Sequence, residues 1–215
     1  MSLDSISRLY ARGVARRLLP DQRRAQLLDV ALELAAGGDL AAVPVATLAA
    51  AAGVSEGLLY HYFPTKQSLT VAALRRAADA LVADLDAATG DDPASRLAAG
   101  LRAYLDHVEA QPVGWLALLR ASSGELAEIA AEVERHSVAV ALDVLGVVDP
   151  GPALSVALTG WLAFERTACA AWLDHRDLDR AALEDVLLAT FVAALSTAAH
   201  HDPTAAAAVR RLGMS

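Results

Sequence analysis

Apolar residues recur at helical spacing along most of the chain, and clusters of glycine, proline and small polar residues interrupt that spacing. No segment shows the strict alternation of apolar and polar positions that is typical of strands. The breakers predict about nine helices, near residues 22–36, 45–52, 55–62, 66–88, 93–111, 113–121, 125–146, 153–175 and 178–200. The pattern therefore predicts an all-α protein.

The segment 40–69 has the pattern of two short helices that cross at a tight turn. Gly53 lies in the turn, where a Cβ would be in the way, and Ser55 can cap the second helix. At about 100° per residue, Leu59 and Phe63 share the inner side of that helix. The outer side carries Gly57, Tyr60 and His61. An ordinary helical hairpin has the same spacing, so spacing alone favours a DNA-binding helix without requiring one.

The residue types in this segment closely resemble the motif of the tetracycline-repressor (TetR) family of bacterial regulators. The matching residues are Ala52-Gly53-Val54-Ser55, Leu59-Tyr60, His61-Tyr62, Phe63 and Lys66. The specific resemblance covers roughly residues 23–75. It implies a helix-turn-helix DNA-binding domain in 21–66, joined to a helical ligand-binding and dimerisation bundle in 67–215. A basic arm is predicted in 1–20.

The expected DNA contacts combine this motif with nearby hydroxyl and basic groups. Pro44 and Ala46 replace polar residues that are common in the family, and Glu56 is acidic at the groove mouth, which weakens the expected contacts. The predicted DNA-binding residues are Arg12, Arg16, Arg23, Arg24, Thr47, Ser55, Glu56, Gly57, Leu58, Tyr60, His61, Tyr62 and Lys66.

Charge is distributed unequally. Residues 1–78 carry a net charge of +3 and residues 79–215 a net charge of −11, which gives −8 for the chain. Because DNA binding depends on the local field, the N-terminal part is the expected docking surface. Arg8, Arg12 and Arg16 recur every four residues ahead of Pro20. They form either a DNA-contacting arm or a solvated, partly ordered tail.

The C-terminal half has the composition of a small-molecule pocket, because its three tryptophans and several polar groups fall on apolar helix faces. Tyr104 aligns with Leu97, Leu101 and Val108 on the helix that borders the pocket in the family. The predicted ligand-binding residues are Tyr104, Trp115, Trp161, Phe164, Glu165 and Trp172. Each aromatic residue could instead belong to the core or to a dimer contact.

The resemblance implies a homodimer that binds double-stranded operator DNA and responds to an unknown small-molecule effector. The eighth and ninth helices would form the dimer surface. The ninth helix is expected to supply Leu183, Val186, Leu187, Thr190, Ala194 and Ala198. Ligand would move the helix that begins at Lys66, separate the recognition helices and lower DNA affinity. The function predicted is that of a repressor released by a hydrophobic or aromatic effector.

No enzyme, cofactor or metal site is expected. Glycine-rich phosphate loops are missing from the sequence, and His200-His201 lacks further ligands at zinc spacing. The single cysteine, Cys169, cannot form an intramolecular disulfide, and no membrane span or signal peptide is recognised, so a cytoplasmic protein is expected. The alternative is a helical ligand-binding or scaffolding protein whose DNA binding has decayed.

Overall fold

The computed structural model describes residues 18–35 and 42–213, and this part of the chain contains ten helices and no strand. The all-α prediction is confirmed. The helices are α1 (Pro20–Ala35), α2 (Val45–Ala51), α3 (Glu56–Tyr62), α4 (Lys66–Ala87), α5 (Pro93–Ala110), α6 (Pro112–Leu119), α7 (Gly124–Leu145), α8 (Pro152–His175), α9 (Arg180–Ala199) and α10 (Pro203–Arg211).

Two sequence predictions of helix position need correction. The count of nine omitted α10, which begins where Asp202 accepts a hydrogen bond from the Thr204 backbone N–H at 2.8 Å. Proline at the first position and an aspartate cap are ordinary helix-start signals, so the sequence after His200 did indicate a further helix. Helix α1 begins at Pro20 rather than Gln22, because proline is tolerated at the first position of a helix. Its predicted end at Gly37-Gly38 lies outside the described residues.

The chain divides into two compact units. Among the described residues, the first unit comprises those up to Asp79 together with Gln111–Ala127, and the second comprises Ala80–Ala110 together with those from Glu128 onward. This division by packing differs from the functional boundary predicted after residue 66, because part of α4 and the whole of α6 belong to the first unit. In that unit α1 packs against α2, and α2 against α3. The buried side chains between them include Leu27, Val30, Leu48, Leu59 and Phe63.

In the second unit α9 packs against α5, α8 and α10. The core there includes Leu145, Leu154, Leu158, Phe191 and Leu195. Asp202 joins two helix starts, because its carboxylate also accepts from the Leu154 backbone N–H at 3.1 Å. The Thr204 hydroxyl and these backbone donors lower the pKa of Asp202. Asp202 therefore links the start of α10, the helix that the sequence prediction omitted, to the start of α8.

Helix α9 is strongly apolar, and its faces differ in environment. Among the described residues it alone is long and apolar enough to cross a membrane by length and composition. Such a helix is weak support for a membrane span, since a core helix of a soluble protein passes the same test. Leu183, Leu187 and Ala198, predicted for the dimer surface, are buried within this chain, whereas Val186 is 44% exposed.

Candidate nucleic-acid interface and ligand cavity

The turn between α2 and α3 is held by local hydrogen bonds. Gly53 has a φ of +66°, a left-handed conformation that strongly favours glycine, and its N–H donates to the Ala50 carbonyl at 3.1 Å. Ser55 then caps α3, because its hydroxyl oxygen accepts from the Leu58 N–H at 3.1 Å. These bonds fix the start of α3 directly after α2, as the glycine and serine spacing predicted.

The outer face of α3 is exposed to solvent. Tyr60 is 43% exposed and Leu58 is 37% exposed, while Leu59 between them is 1% exposed. The other exposed residues on this helix are Glu56, Gly57 and His61. Tyr62 is half-buried against the first core and meets the His61 ring edge-on, with 5.4 Å between ring centroids. The helix thus presents a mixed polar and apolar face without a lysine or arginine side chain.

The start of α4 follows α3 after three residues and is capped reciprocally. The Ser68 N–H donates to the Thr65 hydroxyl at 3.0 Å, and the Thr65 N–H donates to the Ser68 hydroxyl at 3.2 Å. Lys66, the single lysine of the chain, is half-buried at the first position of this helix. A helix start with a cation beside it is electrostatically suited to a phosphate group.

The remaining predicted DNA contacts differ in their surroundings. Arg23 donates to the Gln26 side chain, and the guanidinium carbon of Arg24 lies 5.2 Å from the centre of the Phe63 ring. Thr47 is half-buried in the first turn of α2. Arg12 and Arg16 lie outside the described residues.

A partly enclosed cavity of about 70 Å³ lies within the second unit. Its volume is several times the roughly 10–15 Å³ that one water molecule needs. Tyr104 from α5, together with Trp161 and Glu165 from α8, belongs to the lining, so three of the six predicted ligand residues meet there. Most other lining residues are apolar and include Leu85, Leu97, Leu101, Val140, Val144, Leu158, Leu162, Leu188 and Phe191.

The other three predicted ligand residues do not line this cavity. Trp115 is buried on α6, in the first unit, and Phe164 is 41% exposed. The Trp172 indole N–H donates to the Leu178 carbonyl at 2.8 Å, and the Arg176 guanidinium lies 4.0 Å from the centre of a Trp172 ring. Trp172 therefore closes the α8–α9 connection. Helical periodicity identified apolar faces here but could not say which neighbour each face meets.

Sequence reasoning missed two polar lining residues, Arg96 and Ser137. The Arg96 guanidinium pairs with Asp143 at 2.8 Å, and the Ser137 hydroxyl donates to the Val133 carbonyl at 3.0 Å. Ser137 follows His136, which faces Asp86 at 2.9 Å instead of lining the cavity. Arg96 lies about 100° around α5 from Leu97, outside the face that the sequence identified, so periodicity gave no signal for it.

Glu165 is the acidic residue among the lining residues of this cavity. Its side chain is 5% exposed, and burial raises its pKa to about 8, opposed in part by the positive charge of Arg166. Burial also raises the pKa of Cys169, one turn further along α8, to about 12. At neutral pH this part of α8 therefore holds a protonated carboxyl and an unreactive thiol.

Comparisons with known proteins agree with this geometry. Residues 27–73 match the model for bacterial regulatory proteins of the tetR family, and residues 93–194 match the model for a tetracyclin repressor-like C-terminal domain. A TetR-family transcriptional regulator structure from Streptomyces coelicolor aligns with 32% identity and a TM-score of 0.83. The alignment covers 91% of this chain and 90% of that one.

Two curated relatives are 33% identical over shorter stretches. The transcriptional activator FasR of Mycolicibacterium smegmatis matches over 55% of this chain and 55% of its own length. The transcriptional repressor KstR of Rhodococcus jostii matches over 53% and 54%. The chain thus spans about half the length of the curated relatives it matches. Family members are transcriptional regulators rather than enzymes, which agrees with the sequence expectation. Both halves of the chain match, and one solved structure aligns over nearly its whole length, so the chain belongs to the TetR family of bacterial transcriptional regulators.

Proposed function

We propose that this protein is a ligand-responsive transcriptional repressor, which binds a palindromic operator in the cytoplasm as a homodimer and is released by a small hydrophobic effector. The observation that carries the proposal is the face of α3, where Tyr60 and His61 are exposed beside the capped start of α4. In a helix-turn-helix protein this second helix enters the major groove, while neighbouring helix starts contact phosphates.

In the DNA-binding part of the proposal, some side chains contact phosphates and others contact the edges of bases. Tyr60, Thr65 and Lys66 can bind phosphates, whereas Gly57, Leu58 and His61 are available to base edges. The acidic second half of the chain would repel DNA, which leaves the face around α3 as the docking surface.

The effector part rests on the cavity and on the continuity of α4. This helix begins at Lys66 beside α3, and its residue Leu85 lines the cavity. A ligand larger than the present cavity would displace Leu85 and its neighbours, and a continuous helix transmits such a shift along its length. Operator affinity would fall because the ligand favours a different arrangement of the recognition helices.

The dimer part rests on exposed apolar side chains of α8 and α9. Val156 is 74% exposed, and Phe164 and Val186 are 41% and 44% exposed. At Gly160 an added Cβ would have no neighbour within 4 Å, which leaves room for a closely approaching helix. We expect sedimentation to give a dimer at micromolar concentration, and Val156→Asp to give a folded monomer. A monomeric wild type would refute this part.

Operator binding is tested with DNA from the protein's own promoter region and with a scrambled duplex of equal length, over a salt titration. A regulator gives a steep salt slope and a preference for the promoter. Loss of the gene should raise transcription from that promoter; lowered transcription would indicate an activator instead.

The second candidate is a ligand-binding or scaffolding protein without DNA binding. It is favoured by Pro44, which precedes α2 without a side-chain cap, and by Glu56, which opens α3. Such a protein would show neither a steep salt slope nor any promoter preference in the same titration.

A further inference from the structure

The cavity of the second unit contains one buried ionisable group whose hydrogen-bonding capacity is unused. Within residues 18–35 and 42–213, no hydrogen bond or ion pair engages the Glu165 carboxyl. The adjacent Arg166 on the same helix pairs with Glu134 at 2.8 Å. Glu165 lines the cavity, so a molecule bound there can supply the partner that the described residues do not.

The groups around Glu165 determine which form of the carboxyl that partner would meet. Helix α5 contributes Arg96 and Tyr104 to the lining, and α8 itself brings Arg166 and Cys169 near the carboxyl. The described lining residues of α4, α7 and α9 are uncharged. Arg96 is already paired with Asp143. Both arginines near the carboxyl are therefore paired, and burial favours its protonated form at neutral pH, which carries one O–H donor.

We propose, on the basis that this cavity is the effector site, that Glu165 is its hydrogen-bond donor and that the cavity takes an uncharged, mainly apolar molecule bearing a carbonyl oxygen. The aliphatic and aromatic lining would surround the apolar body of the ligand, and the carbonyl oxygen would accept from the Glu165 hydroxyl. The carboxyl then discriminates between ligands, because a molecule of equal shape without an acceptor leaves that donor unpaired.

Two other ligand classes fit this site less well. An amine would have to lose its hydration while Glu165 also loses its proton, so two charges would be desolvated together. A carboxylate would lose its hydration in a mostly apolar cavity, where Arg96 is already paired with Asp143. A neutral acceptor avoids both penalties.

The test uses four matched probes with the purified full chain and without DNA: 4-phenylbutan-2-one, butylbenzene, 4-phenylbutan-2-amine and 4-phenylbutanoate. Their dissociation constants are measured by NMR titration of each probe. For the wild type at pH 7, we expect the ketone to bind about threefold to tenfold more tightly than butylbenzene, which is the range of one net hydrogen bond. The amine and the carboxylate should bind more weakly than the ketone.

Two substitutions separate hydrogen bonding from cavity shape. Glu165→Gln keeps an N–H donor and should retain the preference for the ketone, whereas Glu165→Leu should reverse it in favour of butylbenzene. Between pH 7 and pH 9 the wild type should lose about tenfold in ketone affinity as the donor proton is lost, while the glutamine variant should not change. Glu184→Gln is the matched control, because Glu184 lies on α9 outside the cavity lining and faces Arg102.

The outcomes are distinct. A preference for the amine that disappears in Glu165→Gln would overturn the proposal in favour of a cation site. Equal binding of ketone and butylbenzene would show that the carboxyl does not contact the ligand, and failure of all four probes would overturn the cavity assignment. Since DNA is not present, operator binding by the same preparation reports separately on the proposed regulator.

Discussion

The face of α3 and the cavity of the second unit place their polar groups in opposite environments. Tyr60 and His61 are exposed to solvent, so each contact that we propose with DNA would replace a contact with water and contribute little by itself. Glu165 is 5% exposed, and burial raises the pKa of its carboxyl to about 8. If both proposals hold, DNA recognition is spread over many weak, salt-sensitive contacts, whereas ligand recognition in the cavity is concentrated on one group that responds to pH.

The largest expected effect tests whether the Glu165 carboxyl is shielded from water in the folded protein. Its pKa is about 8 in the folded chain and 4.5 as the ordinary value, so the folded state keeps a proton that the unfolded chain releases. Stability is consequently lost as the pH rises from about 4.5 to about 8. At pH 7 the loss amounts to about 3 kcal/mol, at about 1.4 kcal/mol per pH unit. Glu165→Gln should remove this loss.

The measurement is urea unfolding of wild type and Glu165→Gln between pH 5 and pH 8. The difference in unfolding free energy between the two proteins should grow with pH, and Glu184→Gln should follow the wild type. Parallel pH profiles for wild type and Glu165→Gln would mean that water reaches the carboxyl, and the contrast between the two regions would then disappear.

The next effect concerns the arginines ahead of α1, in residues outside the described part. Removing residues 1–17 keeps Leu19, whose carbonyl accepts from the Arg23 N–H at 2.9 Å, so α1 retains its start. If the arm tracks phosphates, operator affinity should fall about tenfold or more, and the salt slope should flatten by several units. The melting temperature should stay nearly constant. Replacing Arg8, Arg12, Arg16 and Arg17 with glutamine is the matched variant; unchanged affinity and slope would identify a solvated tail.

The same contrast explains what could be predicted from sequence. The α2–α3 geometry depends on spacing within a few residues, because Gly53 must adopt a positive φ and Ser55 must cap the helix that follows, so the motif identified this region. The cavity depends on how distant helices pack. Trp161 and Trp172 share a helix face in sequence, yet one lines the cavity and the other caps the α8–α9 connection. Periodicity reports the face of a helix but not its neighbour.

Smaller effects are expected for single contacts on the DNA face. Tyr60→Phe and Lys66→Ala should each weaken binding to all sequences by about 1 kcal/mol, as one lost phosphate contact. The lysine change should also lower the salt slope by roughly one unit. Arg135→Ala is the control, because Arg135 is an exposed cation on α7 in the acidic part of the chain. Wild-type affinity in both variants would show that the docking surface lies elsewhere.

The smallest effects are expected for alanine substitutions at two glycines, which distinguish a change in stability from a change in DNA affinity. Gly53 has a φ of +66° and no neighbour near an added Cβ, so Gly53→Ala should cost about 1 kcal/mol through backbone strain alone. Gly57 lies inside α3, where an added Cβ would meet only the Ser55 hydroxyl at 3.9 Å. Gly57→Ala should therefore stabilise the free protein by about 0.5–1 kcal/mol, the usual gain in a helix.

If α3 lies in the groove as proposed, the methyl group added at Gly57 would meet the DNA, and operator affinity should fall although the protein has become more stable. Thermal unfolding and operator titration of the two variants separate these effects, because Gly53→Ala should change stability and leave the affinity of the folded fraction nearly intact. Gly57→Ala binding as tightly as the wild type would place this side of α3 away from the bases, and recognition would then depend on Tyr60, His61 and the start of α4.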